Sequence, residues 1–558
     1  MRPSARAGSA LLLMLLLMLV AGPLVWSLCA AVLAAANSTA WAALANDPQT
    51  LRALLLSLWT GMASTVLSYL LCKHLLGYAF TASTKRWARL LRGLPPMLAV
   101  PHAAFAIGMV ALLTPGGWLL RALSPWATGL NAPPDWTTTQ DPWGLGLIAV
   151  LVLKETPFLL WVAAMQLQQS DRSQRLRKEL TLAQTMGYSA NAAWQRLVWP
   201  QIRTQLKWPL LAVLAYGLSV VDVAMLIGPT SPPTLALLTW QWLQDADTAV
   251  NAQGAAAAWL MLGLVALCAA ALHAGTHLHV WRATWTKGVS VSQDGQTLQA
   301  RWWTGKGAAP VMVMVMLLPA AYVAVLLALA AGSVVGVWPF PALLPQSWTM
   351  AAWQSVWESR AVLITSFALA MYSAASALVW SVIWLEWAPA QWQRKLMRFI
   401  YIPLALPSVL WVMGLHRMTI SWDADATFAG LWLVHTLLCV PYVLLAMESP
   451  YANFNPAQQA VAASLGRSRT AFLLQVKWPL LKATLLAGFA VGFSVSTAQY
   501  LATVYVGAGR FATVSTEAIN LAAGGQRSMA AAFAWLQWLL PAMVFALAGL
   551  LGRPRRFK

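Results

Sequence analysis

The residues best placed to do chemistry are those that carry charge where their surroundings do not. Lys154 and Glu155 stand side by side in the apolar run 143–167, and Asp222 stands in the run 208–229. An ionisable group in hydrocarbon is costly, so such residues pair with one another or mark a solute path. Neighbouring helical residues point about 100° apart, so Lys154 and Glu155 cannot share one face. Lys154 is expected to meet Asp222 or Glu155 across helices. An ion pair that fixes packing and a contact with solute both fit this pattern. The second half of the chain has no charged counterpart, and its nearest polar groups are His435, Thr497 and Gln499. A path built from both halves would be electrostatically asymmetric.

Other chemistries lack their residues. There is no GxxxxGK[ST] loop, and "TGKG" at 304–307 lacks both the first Gly and the Ser/Thr that hold nucleotide phosphates. No cluster of catalytic residues stands out, so the chain is expected to be no enzyme and to bind no cofactor itself. Cys29, Cys72, Cys268 and Cys439 each lie in an apolar run with no CxxC or zinc spacing, which reads as inert thiols. His273 and His277 sit at i, i+4 with His279 nearby. Their place at the end of an apolar run favours interfacial anchoring over a metal site.

The elements that carry these residues are helices. The chain has 558 residues, 59% hydrophobic and 9% charged, with a mean hydropathy of +0.63; a soluble protein carries about 25% charged residues. A bilayer core needs about 20 apolar residues per helix. Twelve runs meet this: 9–34, 53–72, 95–116, 143–167, 208–229, 255–279, 308–332, 359–384, 399–418, 428–448, 480–502 and 529–551. The fold class is all-α and polytopic. Long Ala/Leu/Val runs without alternation argue against a membrane barrel. The first run follows Arg2 and Arg6 like a signal peptide, but its length fits an uncleaved helix better. Lys and Arg set the orientation. With the N-terminus inside, 29 of the 36 fall in cytoplasmic segments, and both termini are cytoplasmic. The net charge of +20 is therefore topological and implies no nucleic-acid partner.

The polar segments repeat. "LAQTMGYSANAAWQRLVWP" (182–200) returns as "VAASLGRSRTAFLLQVKWP" (461–479). Gly187 and Gly466 are 279 residues apart, half of 558, and so are Pro200 and Pro479. Pro101 and Gly108 match Pro407 and Gly414, and Pro157 matches Pro441. The Pro-Gly pairs are candidate helix kinks. Six spans per half make two parallel repeats about an axis along the membrane normal. The domains are expected at 1–280 and 308–558, joined by a polar cytoplasmic linker, 281–307, with a hairpin signal at its Asp-Gly.

The repeated segment resembles the "EAA" loop of binding-protein-dependent ABC transporter permeases, which runs Glu-Ala-Ala, three residues, Gly, nine residues, Ile-x-Leu-Pro. Ala183, Gly187, Leu197 and Pro200 fill that frame, as do Ala462, Gly466, Val476 and Pro479. Thr181 and Ala460 stand at the Glu positions, and Trp199 and Trp478 at the Leu before each Pro. The whole chain resembles the fused, two-permeases-in-one-chain type found in thiamine and ferric-iron importers, and 496–525 resembles the YnjC type. The resemblance implies a type I importer permease in the bacterial inner membrane. Each loop would dock in a groove of one of two cytoplasmic ABC ATPase subunits, which bind the ATP. The helices of Pro101 and Pro407 would lie along the path. The outer segments 117–142, 230–253 and 503–528 would receive a periplasmic solute-binding protein. Thiamine, ferric iron, other small anions and polyamines are all admitted as substrates. The alternative class is an ion-coupled secondary transporter of 6+6 helices, in which Lys154, Glu155 and Asp222 would serve the coupling ion.

Overall fold

The computed structural model describes residues 3–168, 170–277, 309–404 and 406–553. The expected linker 281–307 and His279 lie outside these, as do the side chains of His273 and His277. In hydrocarbon a backbone must satisfy its own hydrogen bonds, and the apolar runs do so as helices. Among the described residues the only β pairing is an isolated antiparallel bridge, Val335 to Trp348.

The first half supplies α1 (Pro3–Ala34), α2 (Thr50–Ala82), α3 (Thr84–Leu98), α4 (His102–Leu113), α5 (Leu145–Gln168), α6 (Ser170–Thr185), α7 (Lys207–Ser219), α8 (Asp222–Ile227), α9 (Leu235–Leu243) and α10 (Thr248–His277). The second half supplies α11 (Ala309–Gly332), α12 (Arg360–Trp387), α13 (Ala390–Ile400), α14 (Ser408–Ser421), α15 (Phe428–Ala452), α16 (Pro456–Ser464), α17 (Lys482–Ala498), α18 (Leu501–Gly507), α19 (Val514–Ala523) and α20 (Arg527–Leu551).

Among the described residues, eight helices are long and apolar enough to cross a membrane, or ten if two sharply bent pairs each count as one span. Four of the twelve expected runs are not single helices: 95–116 breaks at Pro101 and 480–502 at Gln499–Tyr500, and two more break or start late. The run 208–229 divides at Val220–Val221 into α7 and α8. The run 399–418 yields α14, a helix of 14 residues that starts after Pro407. At 1.5 Å per residue α14 reaches about 21 Å, short of a hydrocarbon core of about 30 Å. Hydropathy sums across such breaks and cannot see them.

The chain divides into two compact units that differ from the two sequence halves. One holds Thr39–Ala331 and Val337–Gln346, and the other holds Met1–Ser38, Gly332–Gly336 and Ser347–Lys558. The opening helix of each half is thus exchanged: α1 packs with second-half helices and nearly all of α11 with first-half helices. Glycine makes both contacts close. A Cβ on Gly108 would fall 2.6 Å from Val325 Cγ1 of α11. A Cβ on Gly414 would overlap the Ser27 carbonyl of α1. These glycines, expected as kinks, act as sites of close helix approach. Another partner on α11 is specific. Pro157 has no N–H to give the Leu153 carbonyl, and the Tyr322 hydroxyl donates to that carbonyl at 3.1 Å.

Candidate functional site: paired loops and a membrane charge cluster

The two repeated loops fold alike. After α6, Gly187 takes φ +90°, the Gly187 N–H donates to Gln184 O at 3.0 Å, and the Tyr188 N–H donates to Ala183 O at 3.1 Å. After α16, Gly466 takes φ +70°, its N–H donates to Ala463 O at 3.0 Å, and the Arg467 N–H donates to Ala462 O at 3.0 Å. Both are Schellman closures, which need a left-handed residue just past the helix. No atom lies within 4 Å of a Cβ at either glycine, so conformation alone demands glycine here. Ser189 and Ser468 then accept from the N–H of Ala192 and Ala471, each at 3.2 Å, and start a new turn. The Gly-x-Ser triplet in both copies carries this signal and is not among the residues singled out from sequence. One wide turn follows in each copy, Trp194–Val198 and Leu473–Lys477. Pro200 and Pro479 come next, within the first turn of the following helix, where a missing N–H is tolerated.

The anchors differ between the copies. Trp194 and Trp199 are buried, and their indole N–H groups donate to Lys73 O at 3.2 Å and to the Tyr69 hydroxyl at 3.0 Å. The Trp that replaces the motif Leu at 199 is therefore a hydrogen-bonded anchor. In the second copy Ala462, Phe472 and Leu473 cluster with Trp387, Phe454, Val476 and Trp478. Lys477 pairs with Glu386 at 2.7 Å, and Arg469 donates to the Glu386 carbonyl at 2.6 Å.

Ala183 and Ala462 are buried, Leu197 and Pro479 exposed, and Val476 and Pro200 half-buried. On the outer side, Leu182 and Met186 are 63% and 64% exposed, and Val461 and Leu465 are 58% and 73% exposed. These pairs are again 279 residues apart, so both loops expose the same apolar step. Thr181 and Ala460, at the motif Glu positions, are exposed. Near the first copy Glu179 binds Arg175 and Gln201, each at 2.9 Å. Burial pushes its carboxyl up, but these hydrogen bonds outweigh burial and hold it below the usual carboxylate range.

In the membrane, Lys154 and Glu155 are both buried. The Lys154 ammonium does not pair with Asp222 or Glu155 as expected. It donates to Val100 O at 2.5 Å and Met97 O at 3.4 Å, between the Phe105 and Tyr322 rings. The break between α3 and α4 explains this. Pro101 cannot donate to the Met97 carbonyl, which takes the Val100 N–H at 3.4 Å, and the cation's short bond goes to the Val100 carbonyl at the break. Glu155 meets His102 Nε2 at 3.0 Å instead. Asp222 is half-buried at the start of α8, just past the break in the fifth run. The second half answers with neutral groups. His435 bonds to Ser496 at 2.9 Å and to Thr503 at 3.1 Å. The Thr497 hydroxyl donates to Phe493 O at 2.8 Å, its carbonyl accepts from the Ser515 hydroxyl, and Gln499 closes α17 at a break that matches Val220.

The outer segments are more structured than loops. Within 230–253 and 503–528 lie α9 and α19, both mostly buried and starting 279 residues apart. Ser57 of α2 accepts from the Leu235 N–H, and Ser366 of α12 from the Val514 N–H, each at 2.8 Å. Neither serine stands out in the sequence. Arg121, in 117–142, is buried and donates to the carbonyls of Gly116, Trp338, Pro339 and Ala342 at 2.8–3.0 Å. It holds a chain segment and is not a solvated loop charge.

Long apolar helices, spans broken around buried polar groups and duplicated polar loops define a polytopic membrane permease. No family model matches the chain. It is 32% identical over 522 residues to the inner membrane ABC transporter permease protein YnjC of Escherichia coli strain K12, which covers 93% of this chain and 91% of that protein. The chain belongs to the ABC transporter permeases of the YnjC type, and it is a multi-pass inner-membrane protein.

Proposed function

We propose that the chain forms the membrane path of an ABC importer and couples that path to ATP hydrolysis on separate subunits. The duplicated loops carry this reading. Each ends a helix on a left-handed glycine, starts a new turn on a serine, and leaves two apolar side chains in solvent at matching positions. An isolated apolar step of this kind fits a helix-in-groove contact. Two such steps call for two copies of a cytoplasmic ABC ATPase, and the ATP belongs to those copies. Both termini then lie in the cytoplasm. A periplasmic solute-binding protein delivers the substrate. Closure of the ATPases would bias the path between inward- and outward-facing states.

The test is co-purification with an ABC ATPase, together with uptake by whole cells. L182E/M186E and V461E/L465E alter exposed side chains and should leave the melting temperature unchanged. Each pair is expected to weaken ATPase retention by at least about tenfold, the scale of a buried hot spot, and to abolish uptake. Full retention and uptake in both variants would defeat the proposal, as would uptake that survives Gly187→Val and Gly466→Val together.

A further inference from the structure

We propose that α3 is a docking strip for anionic phospholipid headgroups. Lys85, Arg86 and Arg89 stand at the spacing i, i+1, i+4, which confines them to an arc of about 100° on a helix. The helix contains no Asp or Glu.

In α3 the strip is open. Lys85, Arg86, Arg89 and Arg92 are all exposed, and among the described residues no carboxylate pairs with any of them. The opposite face does the packing. Leu94 and Met97 are buried, Leu90 and Leu91 half-buried, and Trp87 sets its edge on Phe80 at 5.4 Å. Arg86 lies over the Tyr78 ring at 4.9 Å and Arg92 donates to Ala88 O at 3.2 Å, so fold stability leaves Lys85 and Arg89 unexplained. Position suggests what explains them. α3 starts two residues after α2 ends. α2 passes as a membrane span, so the strip begins at a membrane boundary. An amphipathic helix there, with a basic polar face, lies along the surface and draws anionic lipid. A protein partner is the weaker fit, because the exposed apolar steps lie on the repeated loops. The strip also leads into the proline break at Pro101.

The test uses the full chain in nanodiscs of phosphatidylcholine with phosphatidylglycerol mixed equally into both leaflets. The result is then independent of orientation and of the importer reading. Lipid that stays bound after transfer to detergent is identified by native mass spectrometry. The wild type is expected to retain phosphatidylglycerol over phosphatidylcholine. K85Q/R86Q/R89Q/R92Q should lose that preference, with about fivefold for each cation removed, and K85R/R86K/R89K/R92K should keep it. If the fourfold variant does not fold, R89Q alone reads the same effect at about fivefold. Unchanged preference in the glutamine variants overturns the proposal. So does loss of ATPase co-purification with phosphatidylglycerol retention intact, which would hand the strip to a protein partner.

Discussion

At the helix break before α4 the first compact unit places a cation, and at the matching break before α14 the second places none. Pro157 and Pro441 align the two supporting helices, so Leu438 and Cys439 stand where Lys154 and Glu155 do. Across the break, Ser408 follows Pro407 where His102 follows Pro101. Cys439 is fully buried, and its thiol donates to Gly492 O at 3.2 Å. The loops reverse the pattern. The first is held by tryptophans, and the second by the Lys477–Glu386 pair, with Val198 at the place of Lys477. The breaks, caps and left-handed glycines recur in both halves, so they are what the scaffold requires. The charges do not recur. A proline break alone therefore does not demand Lys154 or Glu155.

The largest expected effect comes from moving charge into the neutral copy. Cys439→Glu would bury a carboxylate with no histidine opposite it. It should cost about 3–5 kcal/mol, the range for an uncompensated buried charge. The reverse exchange, Glu155→Cys, leaves His102, whose side chain is 37% exposed. That change should cost only about 1–2 kcal/mol. Thermal unfolding in detergent, followed by tryptophan fluorescence, measures both. Equal losses would mean that the two sites do not differ in the way their residues suggest.

Much of this contrast was legible in the sequence. The loop spacing located both glycines, the prolines marked both breaks, and the apolar surroundings of Lys154 and Glu155 marked them as buried. The partners were less legible. Lys154 turns to backbone carbonyls, and a carbonyl at a helix break leaves no mark in residue type. Gly108 and Gly414 read as kinks because their role depends on Val325 and Ser27, hundreds of residues away in the chain. The same distance hides the exchange of α1 and α11. The buried helices α9 and α19 sit between polar residues such as Asp245, Asp247 and Arg510, and a hydropathy window averages them into loops.

A second comparison tests the loop anchors. Lys477→Val installs the residue of the first copy and strands Glu386, whose side chain is 4% exposed. The loss should be about 3 kcal/mol. Adding Glu386→Ala removes the stranded charge, so K477V/E386A should recover most of that loss and behave like the neutral first loop. A double variant as unstable as Lys477→Val alone would show that the second loop depends on the pair for more than charge balance.

The smallest expected effect probes what the halves share. Ser57 and Ser366 each satisfy one backbone N–H at the start of a buried helix. Ser57→Ala and Ser366→Ala each remove a single neutral hydrogen bond and leave a buried donor, at about 1 kcal/mol apiece. The sites lie in separate compact units, so the two losses should add. Hydrogen exchange localises the effect: the amide of Leu235 should exchange faster only in Ser57→Ala, and that of Val514 only in Ser366→Ala. Unequal losses, or one substitution that speeds exchange at both amides, would break the equivalence of α9 and α19 on which the comparison of the halves rests.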